Sequence, residues 1–557
     1  MSIKRNLVSF FAIVILITSC TNNSSQTGSN QSKSSQSEND QSAIGDQSKK
    51  GKNFSSRDYS ITKENAYNDF FLDSSKLETF IVKNNIADSL AGLMRSFYNT
   101  RNYEFAWFSS DGLTEQAFGF WSLKNYEGDT TRSLKTLKIK MNALMSNDSL
   151  VVNSNDESFI NTELMLTENF ITFTKNNYEK GYVKRKEMER FIPFKKQDPI
   201  YLSDSLLNKK HKDDKYFSDV NQSYKDLSTQ LKKYTDIAKA GGWPSIPESI
   251  KKIKKGHKSA DVVALKKFLN ITGDFRQQDS SAIYDDSIIK AVKNFQSRFG
   301  FTQNGSITSA TLKEMNVPVT ERIKQILINM NRMRWLPQKP EGQLIIVNIP
   351  EFKLIVYDGK NKIFDMPVVV GKDGHNTTIF SNKLTTLVFC PHWDVPESIV
   401  KKEILPSIDK DKNYLKKNDM EITGKINGLP VIRQKPGNKN SLGKVKFLFP
   451  NSFNIYFHDT PAKSLFNSDV RAFSHGCIRL KDPEKLADYL LINDPAWTPE
   501  KINKTMKSNN EKFVSLKNPF PVFITYYTAW VDENGQLNFR NDIYGHDKDI
   551  ADKMFTK

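Results

Sequence analysis

The spacing of apolar residues changes midway along this 557-residue chain, and that change constrains the fold more than any other feature. From about residue 58 to residue 317, apolar residues recur at intervals of three and four, which is typical of amphipathic helices. Beyond about residue 343 they alternate or form short runs, such as 344–347 (Leu-Ile-Ile-Val), which are typical of β-strands. The sequence therefore predicts a multidomain α+β protein in which helical domains precede a β-rich domain.

The same changes in pattern predict the domain boundaries. Hydrophobic residues make up 38% of the chain, which is enough to build cores and excludes a wholly disordered protein. A Lys-rich insertion at about 397–445 interrupts the β-rich domain. We predict a helical scaffold domain over 58–250, a small three-helix domain over 251–317, a connecting segment over 318–342 and a β-rich domain over 343–547.

The N-terminus predicts export. Residues 1–19 contain a basic start and an apolar run at 7–17, which is too short to span a bilayer and fits a signal peptide. Small residues before Cys20 resemble a bacterial lipobox, in which the cysteine becomes a lipidated N-terminus; the alternative is a plain secretory signal with a chance cysteine. The Ser-, Gln- and Asn-rich stretch over 20–57 is predicted to be disordered. The expectation is an exported, periplasmic protein tethered to a membrane through a lipid on Cys20, with the outer membrane favoured over the inner.

Charge and cysteine content narrow the classes of partner and cofactor. The formal net charge of +18 predicts an anionic partner. Nucleic acid could account for it, but export leaves anionic peptidoglycan as the better explanation. Cys20, Cys390 and Cys477 are too few for a disulfide scaffold or a four-cysteine zinc site, and Cys390, in an apolar run, is predicted to be an inert buried thiol. No histidine spacing indicates a metal site, so we expect neither metal nor cofactor.

The segment 474–480 (Ser-His-Gly-Cys-Ile-Arg-Leu) carries the strongest chemical signal. Cys477 is the candidate nucleophile, because a thiolate attacks carbonyl groups and a nearby imidazole lowers the pKa of a thiol. His458, 19 residues upstream at the end of a predicted strand, can be brought beside it. Gly476 allows close approach of the backbone to a substrate carbonyl, and the amides around Gly476 and Cys477 could form an oxyanion hole.

This segment and 458–461 (His-Asp-Thr-Pro) together resemble the L,D-transpeptidases with a YkuD-type catalytic domain. The similarity covers most of 58–547 and is most specific over 343–480. Residues 284–312 resemble the peptidoglycan-binding module of bacterial wall enzymes, although Asn304 stands where Asp is usual; whether this module binds glycan stays open. The arrangement is similar to the large subfamily with a helical scaffold, a wall-binding-like module and a capping insertion.

The resemblance implies a reaction. Cys477 would attack the carbonyl of the L-centre of diaminopimelate in a peptidoglycan tetrapeptide stem, release D-alanine and form a thioester. The side-chain amine of a second diaminopimelate would resolve it into a 3→3 cross-link, so the partners would be the stem peptides and glycan. Two histidines, His458 and His475, compete for the role of base, and the resemblance favours His458. The carboxylate of Asp459 should point to the opposite face of the strand, and the resemblance implies that a backbone carbonyl orients the ring instead. His475 and Ser474 would shape the pocket.

Several interpretations stay open. Arg479 fits a clamp for a substrate carboxylate or a structural ion pair, and Tyr456 and Trp393 fit the pocket lining or core packing. The insertion at about 397–445 is a solvated basic face or a lid. The alternative functions are an L,D-carboxypeptidase or cysteine peptidase, a transpeptidase that anchors proteins or exchanges D-amino acids, and a non-catalytic wall-binding lipoprotein.

Overall fold

The structure is a computed structural model of the chain. It describes residues 54–127, 132–145, 150–178, 192–208, 222–276, 281–335 and 342–556. The predicted signal peptide and lipidation site at Cys20 lie outside the described residues, as does most of the predicted linker over 20–57.

The first part of the chain is helical, as predicted. Its core is aromatic: Trp107 and Phe120 are fully buried, with ring centroids 5.4 Å apart. The buried carboxylate of Glu163 accepts hydrogen bonds from the N–H groups of Ala106 and Trp107, which ties a loop to a long helix. The helices are α1 Ser74–Lys83, α2 Asp88–Asn99, α3 Glu115–Glu127, α4 Arg132–Met145, α5 Glu157–Tyr178, α6 Pro199–Leu207 and α7 Gln222–Lys239, and a short hairpin joins β1 Phe108–Ser109 to β2 Gly112–Leu113.

The next helices form the predicted small domain and a connector. Helix α8 (Ala260–Thr272) begins at the side-chain cap Ser259 and ends at Gly273, whose φ of 88° favours glycine. Helix α9 (Asp286–Arg298) buries its apolar stripe, and α10 (Ser309–Met315) completes the group. Helix α11 (Val319–Met333) then leads to the β-rich domain.

The β-rich domain is a closed barrel. Its strands are β3 Gln343–Asn348, β4 Lys353–Asp358, β5 Asn361–Gly371, β6 Phe380–Phe389, β10 Val445–Leu448, β11 Phe457–His458, β12 Ala472–Ser474, β13 Ile478–Leu480 and β14 Lys512–Thr525. They pair in the order β12-β5-β13-β11-β10-β6-β14-β3-β4, and β4 also pairs with β5. This last pairing closes the sheet around a hydrophobic interior. Helices α15 (Pro483–Leu491) and α16 (Pro499–Met506) contribute to the same core.

The chain leaves the barrel after β14 and returns to the helices. Strands β15 (Ala529–Val531) and β16 (Leu537–Phe539) form a hairpin, and α17 (His546–Met554) follows. Phe539 and Ile550 are buried in the same hydrophobic cluster as the helical part. The hairpin and the C-terminal helix therefore pack on the helical core, whereas Tyr544 between them is buried in the barrel core.

The insertion is a folded cap with a core of its own. Strands β7 (Trp393–Asp394), β8 (Met420–Ile426) and β9 (Leu429–Gln434) form a small antiparallel sheet. The helical turns α12 Glu397–Ile399, Val400–Ile404, α13 Leu405–Lys410 and α14 Tyr414–Lys417 cover it. Val400, Ile404 and Ile432 are buried together. The lysines in the helices and strands of the cap are exposed, as a solvated basic face requires, and the few apolar residues of the cap cluster into a core.

Candidate active site

Strands β11 and β13 place the predicted catalytic residues on one face of the barrel wall. Their parallel register pairs Phe457 with Ile478 and His458 with Arg479. Phe457 and Ile478 are fully buried in the barrel interior. Because side chains alternate along a strand, His458 and Arg479 point to the outer face. Cys477, one residue before Ile478, lies beside β11 on that same face.

A tight turn over 474–477 presents the thiol. Gly476 has a φ of +105°, a conformation that L-residues rarely adopt. The buried Ser474 hydroxyl donates to the carbonyl of Cys477 at 2.5 Å and accepts from the N–H of Gly476 at 3.3 Å. The predicted oxyanion hole is therefore corrected: the Gly476 amide is engaged, whereas the Cys477 amide makes no hydrogen bond to any residue that the structure describes.

Thr377 braces this turn, and sequence reasoning did not identify it. Its hydroxyl donates to the carbonyl of Gly476 at 2.7 Å and accepts from the N–H of Gly371 at 2.9 Å. The Tyr544 hydroxyl donates to the carbonyl of Gly371 at 2.6 Å. A Cβ at Gly371 would lie 2.0 Å from the carbonyl oxygen of His375, so the position requires glycine. No spacing signals Thr377, because its partners are backbone atoms of two separate segments.

A backbone carbonyl orients His458, as the resemblance implied. Nδ1 of this buried ring lies 2.5 Å from the carbonyl oxygen of Asp459. A carbonyl only accepts, so Nδ1 carries the proton and Nε2 is the free base. The carboxylate of Asp459 instead accepts from the N–H of Lys444 and the ammonium of Lys463, each at 2.8 Å. The expectation that this carboxylate takes no part in orienting the ring is confirmed.

Burial keeps both members of the pair uncharged. Burial, reinforced by the positive charge of Arg479, lowers the pKa of His458 to about 3. Burial also raises the pKa of the Cys477 thiol, although hydrogen bonds from Tyr456 and the charge of Arg479 oppose that rise. The expectation that an imidazole lowers the pKa of this thiol is therefore wrong for the unliganded protein. At neutral pH the pair rests as a thiol and a neutral imidazole.

Tyr456 and Arg479 complete the outer face around the thiol. The Tyr456 ring lies 5.8 Å from the His458 ring, and its hydroxyl is hydrogen-bonded to Cys477. Of the two interpretations of Tyr456, its contacts therefore favour the pocket lining. Arg479 forms no ion pair within the described residues, its buried Nε makes no hydrogen bond there, and burial lowers its pKa. The structural ion-pair interpretation of Arg479 is therefore wrong.

Two predicted pocket residues belong to the boundary with the cap. Trp393 is half-buried in β7 and packs against the core of the cap, so its contacts favour the packing interpretation. Nε2 of His475 lies 2.8 Å from a carboxylate oxygen of Glu403, a residue of the cap. The ring of His475 also lies 4.9 Å from the ring of His375. His475 therefore connects the nucleophile turn to the cap.

The remaining thiol is buried, as predicted. Cys390 is 1% exposed, and its Sγ donates to the carbonyls of Thr505 and Met506. Among the residues that the structure describes, no three His, Cys, Asp or Glu side chains are grouped as a metal site requires. Within the same ranges, no helix combines the length and the apolar character needed to cross a bilayer.

A family model described as "L,D-transpeptidase catalytic domain" matches residues 342–502, which include Cys477 and His458. The chain carries an L,D-transpeptidase catalytic domain. Models described as "Scaffold domain" and "Putative peptidoglycan binding domain" match residues 92–233 and 258–315. Over these three ranges the chain is therefore similar to a catalytic domain, a scaffold domain and a peptidoglycan-binding domain.

Relatives of the L,D-transpeptidase domain are known in several bacteria. A Haemophilus influenzae protein named "Putative L,D-transpeptidase" is 33% identical over 256 residues, which are 43% of this chain and 50% of the relative. The chain thus spans about half the length of that curated relative. A solved L,D-transpeptidase from Mycobacterium smegmatis is 14% identical; the match covers 33% of this chain and 58% of that one, with a TM-score of 0.18. A solved L,D-transpeptidase from Stackebrandtia nassauensis is also 14% identical; the match covers 49% of this chain and 94% of that one, with a TM-score of 0.21. Scores this low carry no part of the assignment.

Proposed function

We propose that the chain is a peptidoglycan L,D-transpeptidase that forms 3→3 cross-links between stem peptides. One observation carries the proposal: the register of β11 and β13 sets a thiol, a carbonyl-oriented imidazole and an unpaired guanidinium on one outer face. The residues are Cys477, His458 and Arg479. Acyl transfer through a thioester needs a nucleophile and a base held in this way.

The acylation step follows from the resting state of the pair. Nε2 of His458 takes the proton of Cys477 as Sγ bonds to the carbonyl carbon at the L-centre of diaminopimelate. The free N–H of Cys477 stabilises the resulting oxyanion. The intermediate then expels D-alanine, whose amine takes the proton back from His458. Because the pair starts neutral, proton transfer accompanies attack rather than preceding it.

The second half-reaction reverses these roles. The side-chain amine of an acceptor diaminopimelate attacks the thioester carbonyl and gives its proton to His458. The intermediate expels the Cys477 sulfur, which regains a proton, and a new amide joins the two stems. The hydrogen bond from Nδ1 of His458 to the carbonyl of Asp459 holds the same tautomer through both steps.

Arg479 is proposed to bind a carboxylate of the substrate. Its guanidinium acts on the pKa values of both Cys477 and His458, so it lies close to the reacting groups. Within the described residues it has no carboxylate partner, and a partly buried guanidinium without one gains from an anionic ligand.

The cap is proposed to act as a lid. The 2.8 Å contact between Nε2 of His475 and the carboxylate of Glu403 joins the cap directly to the nucleophile turn. A closed cap would exclude water from the thioester and so favour attack by an amine over hydrolysis. The charges of Lys372 and of the exposed Lys402 both act on His375. Together these positive charges would attract acidic stem peptides.

Lipid attachment at Cys20 is proposed from the sequence alone. A lipidated N-terminus followed by a polar tether would hold the catalytic domain at a membrane while it reaches the wall. We propose the periplasmic side of the outer membrane. Mass spectrometry of the protein purified from membranes would show the acyl chains, and a Cys20→Ser variant should appear in the soluble fraction.

The decisive experiment combines a mass measurement with product analysis. A carbapenem should add to the purified protein and to Cys390→Ala, but not to Cys477→Ala. With a tetrapeptide muropeptide, the active protein should release D-alanine and yield a 3→3 dimer, separable by chromatography. An adduct that survives in Cys477→Ala would contradict the assignment of the nucleophile. Release of D-alanine with tripeptide as the only product would identify an L,D-carboxypeptidase instead.

A further inference from the structure

Lys446 lies beside His458 in a row of residues that runs across the barrel wall. Strand β10 pairs Lys446 with His458, and β11 pairs His458 with Arg479 on the other side. The neighbours of Lys446 along its strand, Val445 and Phe447, are fully buried in the barrel interior. Lys446 therefore points to the outer face, as His458 does.

The half-buried ammonium of Lys446 has no ion-pair partner among the residues that the structure describes. The charges of Glu511 and Asp394 act to raise the pKa of Lys446, but both carboxylates are hydrogen-bonded to other residues. Asp394 accepts from the guanidinium of Arg433 at 2.7 Å. Glu511 accepts from the backbone N–H of His392 at 2.8 Å and lies 3.1 Å from its ring.

Three cations lie near His458, and one of them is Lys446. Desolvation lowers the pKa of Lys446, and the positive charges of Lys446, Arg479 and Lys463 all act on His458. Holding an unpaired cation in a partly desolvated position costs free energy. An anionic ligand that binds beside Lys446 recovers this cost through charge-assisted hydrogen bonds.

We propose that Lys446 forms an anion subsite beside His458 on the outer face of the barrel wall, and that this subsite binds a free carboxylate of the donor stem peptide. The proposal rests on the proposed function, which supplies a donor with three such groups: the terminal carboxylate of D-alanine, the side-chain carboxylate of diaminopimelate and the α-carboxylate of D-glutamate. Arg479 binds a second carboxylate on the opposite side of His458. Two cations that flank the base would hold the donor at two points and fix its reactive carbonyl over Cys477.

Binding is measured separately from chemistry. In full-length protein carrying Cys477→Ala, calorimetry gives the Kd of a tetrapeptide muropeptide with Lys446 intact and in the Lys446→Met, Lys446→Gln and Lys446→Arg variants. We expect Met and Gln to weaken binding roughly 10- to 100-fold, the range for losing a hydrogen bond to a charged group, and Arg to retain most of the affinity. The matched control is Lys444→Met, because that ammonium instead donates to Asn509 at 3.4 Å, and its Kd should not change.

Three donors, each amidated at one carboxylate, identify the group that is bound. One of the three amidated donors should lack the carboxylate that Lys446 binds. The protein that retains Lys446 should bind this donor as weakly as the Lys446→Met variant binds the unmodified donor, and Lys446→Met should not weaken binding of this donor further. Equal losses with all three donors, or no loss in correctly folded Met and Gln variants, would overturn the subsite. Release of D-alanine by protein with intact Cys477 is a separate readout: its absence would refute the proposed function, while the binding comparison would still report on Lys446.

Discussion

His458 and Cys477 are both titratable, and burial shifts their pKa values in opposite directions. The pKa of His458 is lowered to about 3, so the ring keeps its basic form at every pH well above 3. The raised pKa of Cys477 keeps the thiol protonated at neutral pH. We therefore expect kcat/KM for D-alanine release to lack an acidic limb between pH 5 and 7. A limb with an apparent pKa near 6.5, the ordinary value for histidine, would contradict this electrostatic account.

The two histidines near the thiol should differ in their effect on rate. His458→Ala should lower the acylation rate about 10²- to 10⁴-fold, the usual loss when a general base is removed. His475→Ser should cost much less, because His475 bonds to Glu403 of the cap rather than to the nucleophile. Stopped-flow measurement of carbapenem acylation would rank the variants. The opposite ranking would make His475 the base.

Thr377 offers a test of the turn itself. Thr377→Val keeps the shape but leaves the carbonyl of Gly476 and the N–H of Gly371 without partners in a buried position. We expect a loss of about 1–3 kcal/mol in the free energy of unfolding and slower acylation. Thr377→Ser retains the hydroxyl and serves as the control. Equal stability of the Val and Ser variants in denaturant titrations would show that the brace is unimportant.

At the scale of elements, the cap is a unit that can be removed. Its core is separate from the barrel core, and β9 ends at Gln434. Asn440 must be retained, because its side-chain amide donates to the carbonyl of Pro391 at the end of the barrel wall. We expect replacement of residues 397–431 by a short Gly linker to raise the ratio of hydrolysed tripeptide to 3→3 dimer, since water would reach the thioester.

Chromatography of the products from a tetrapeptide muropeptide measures that ratio. The milder variant Glu403→Gln weakens only the link between the cap and the nucleophile turn, so it should shift the ratio in the same direction by a smaller amount. An unchanged ratio in a deletion variant that folds and acylates would remove the lid from the proposed function.

At the scale of the whole molecule, Arg332 connects three parts of the chain. It lies on α11, forms a bidentate ion pair with Glu115 of the helical region and also pairs with Asp547 of the C-terminal helix. Arg332→Met would leave two partly buried carboxylates unpaired. We expect this to lower the free energy of unfolding by about 3–5 kcal/mol, as measured by denaturant titration.

The control for this prediction lies on the same helix. Lys324 pairs with Glu321 at 2.8 Å, but the carboxylate is half exposed. Lys324→Met should therefore change stability by no more than about 1 kcal/mol. Similar effects of the two substitutions would mean that Arg332 does not hold the three parts together.

The sequence by itself determined the features that depend on neighbouring residues. The change of apolar spacing separated helices from strands, since the two periods reflect local backbone geometry. The segment around Cys477 and the upstream His458 carried the resemblance to L,D-transpeptidases because the motif is contiguous. Gly476 was singled out from the sequence because glycine allows close approach of the backbone to a substrate carbonyl, whereas its positive φ was seen only in the structure.

Only the tertiary structure decided what depends on segments far apart in the chain. Closure of the barrel requires β4 to pair with β5 while β13 pairs with the other end of β5. Within the residues that the structure describes, Arg479 has no ion pair, and Lys446 lies beside His458. Both features follow from that strand order. The resting charge of the catalytic pair is likewise a consequence of desolvation. Burial is produced by the whole fold, so no local spacing of residues encodes it.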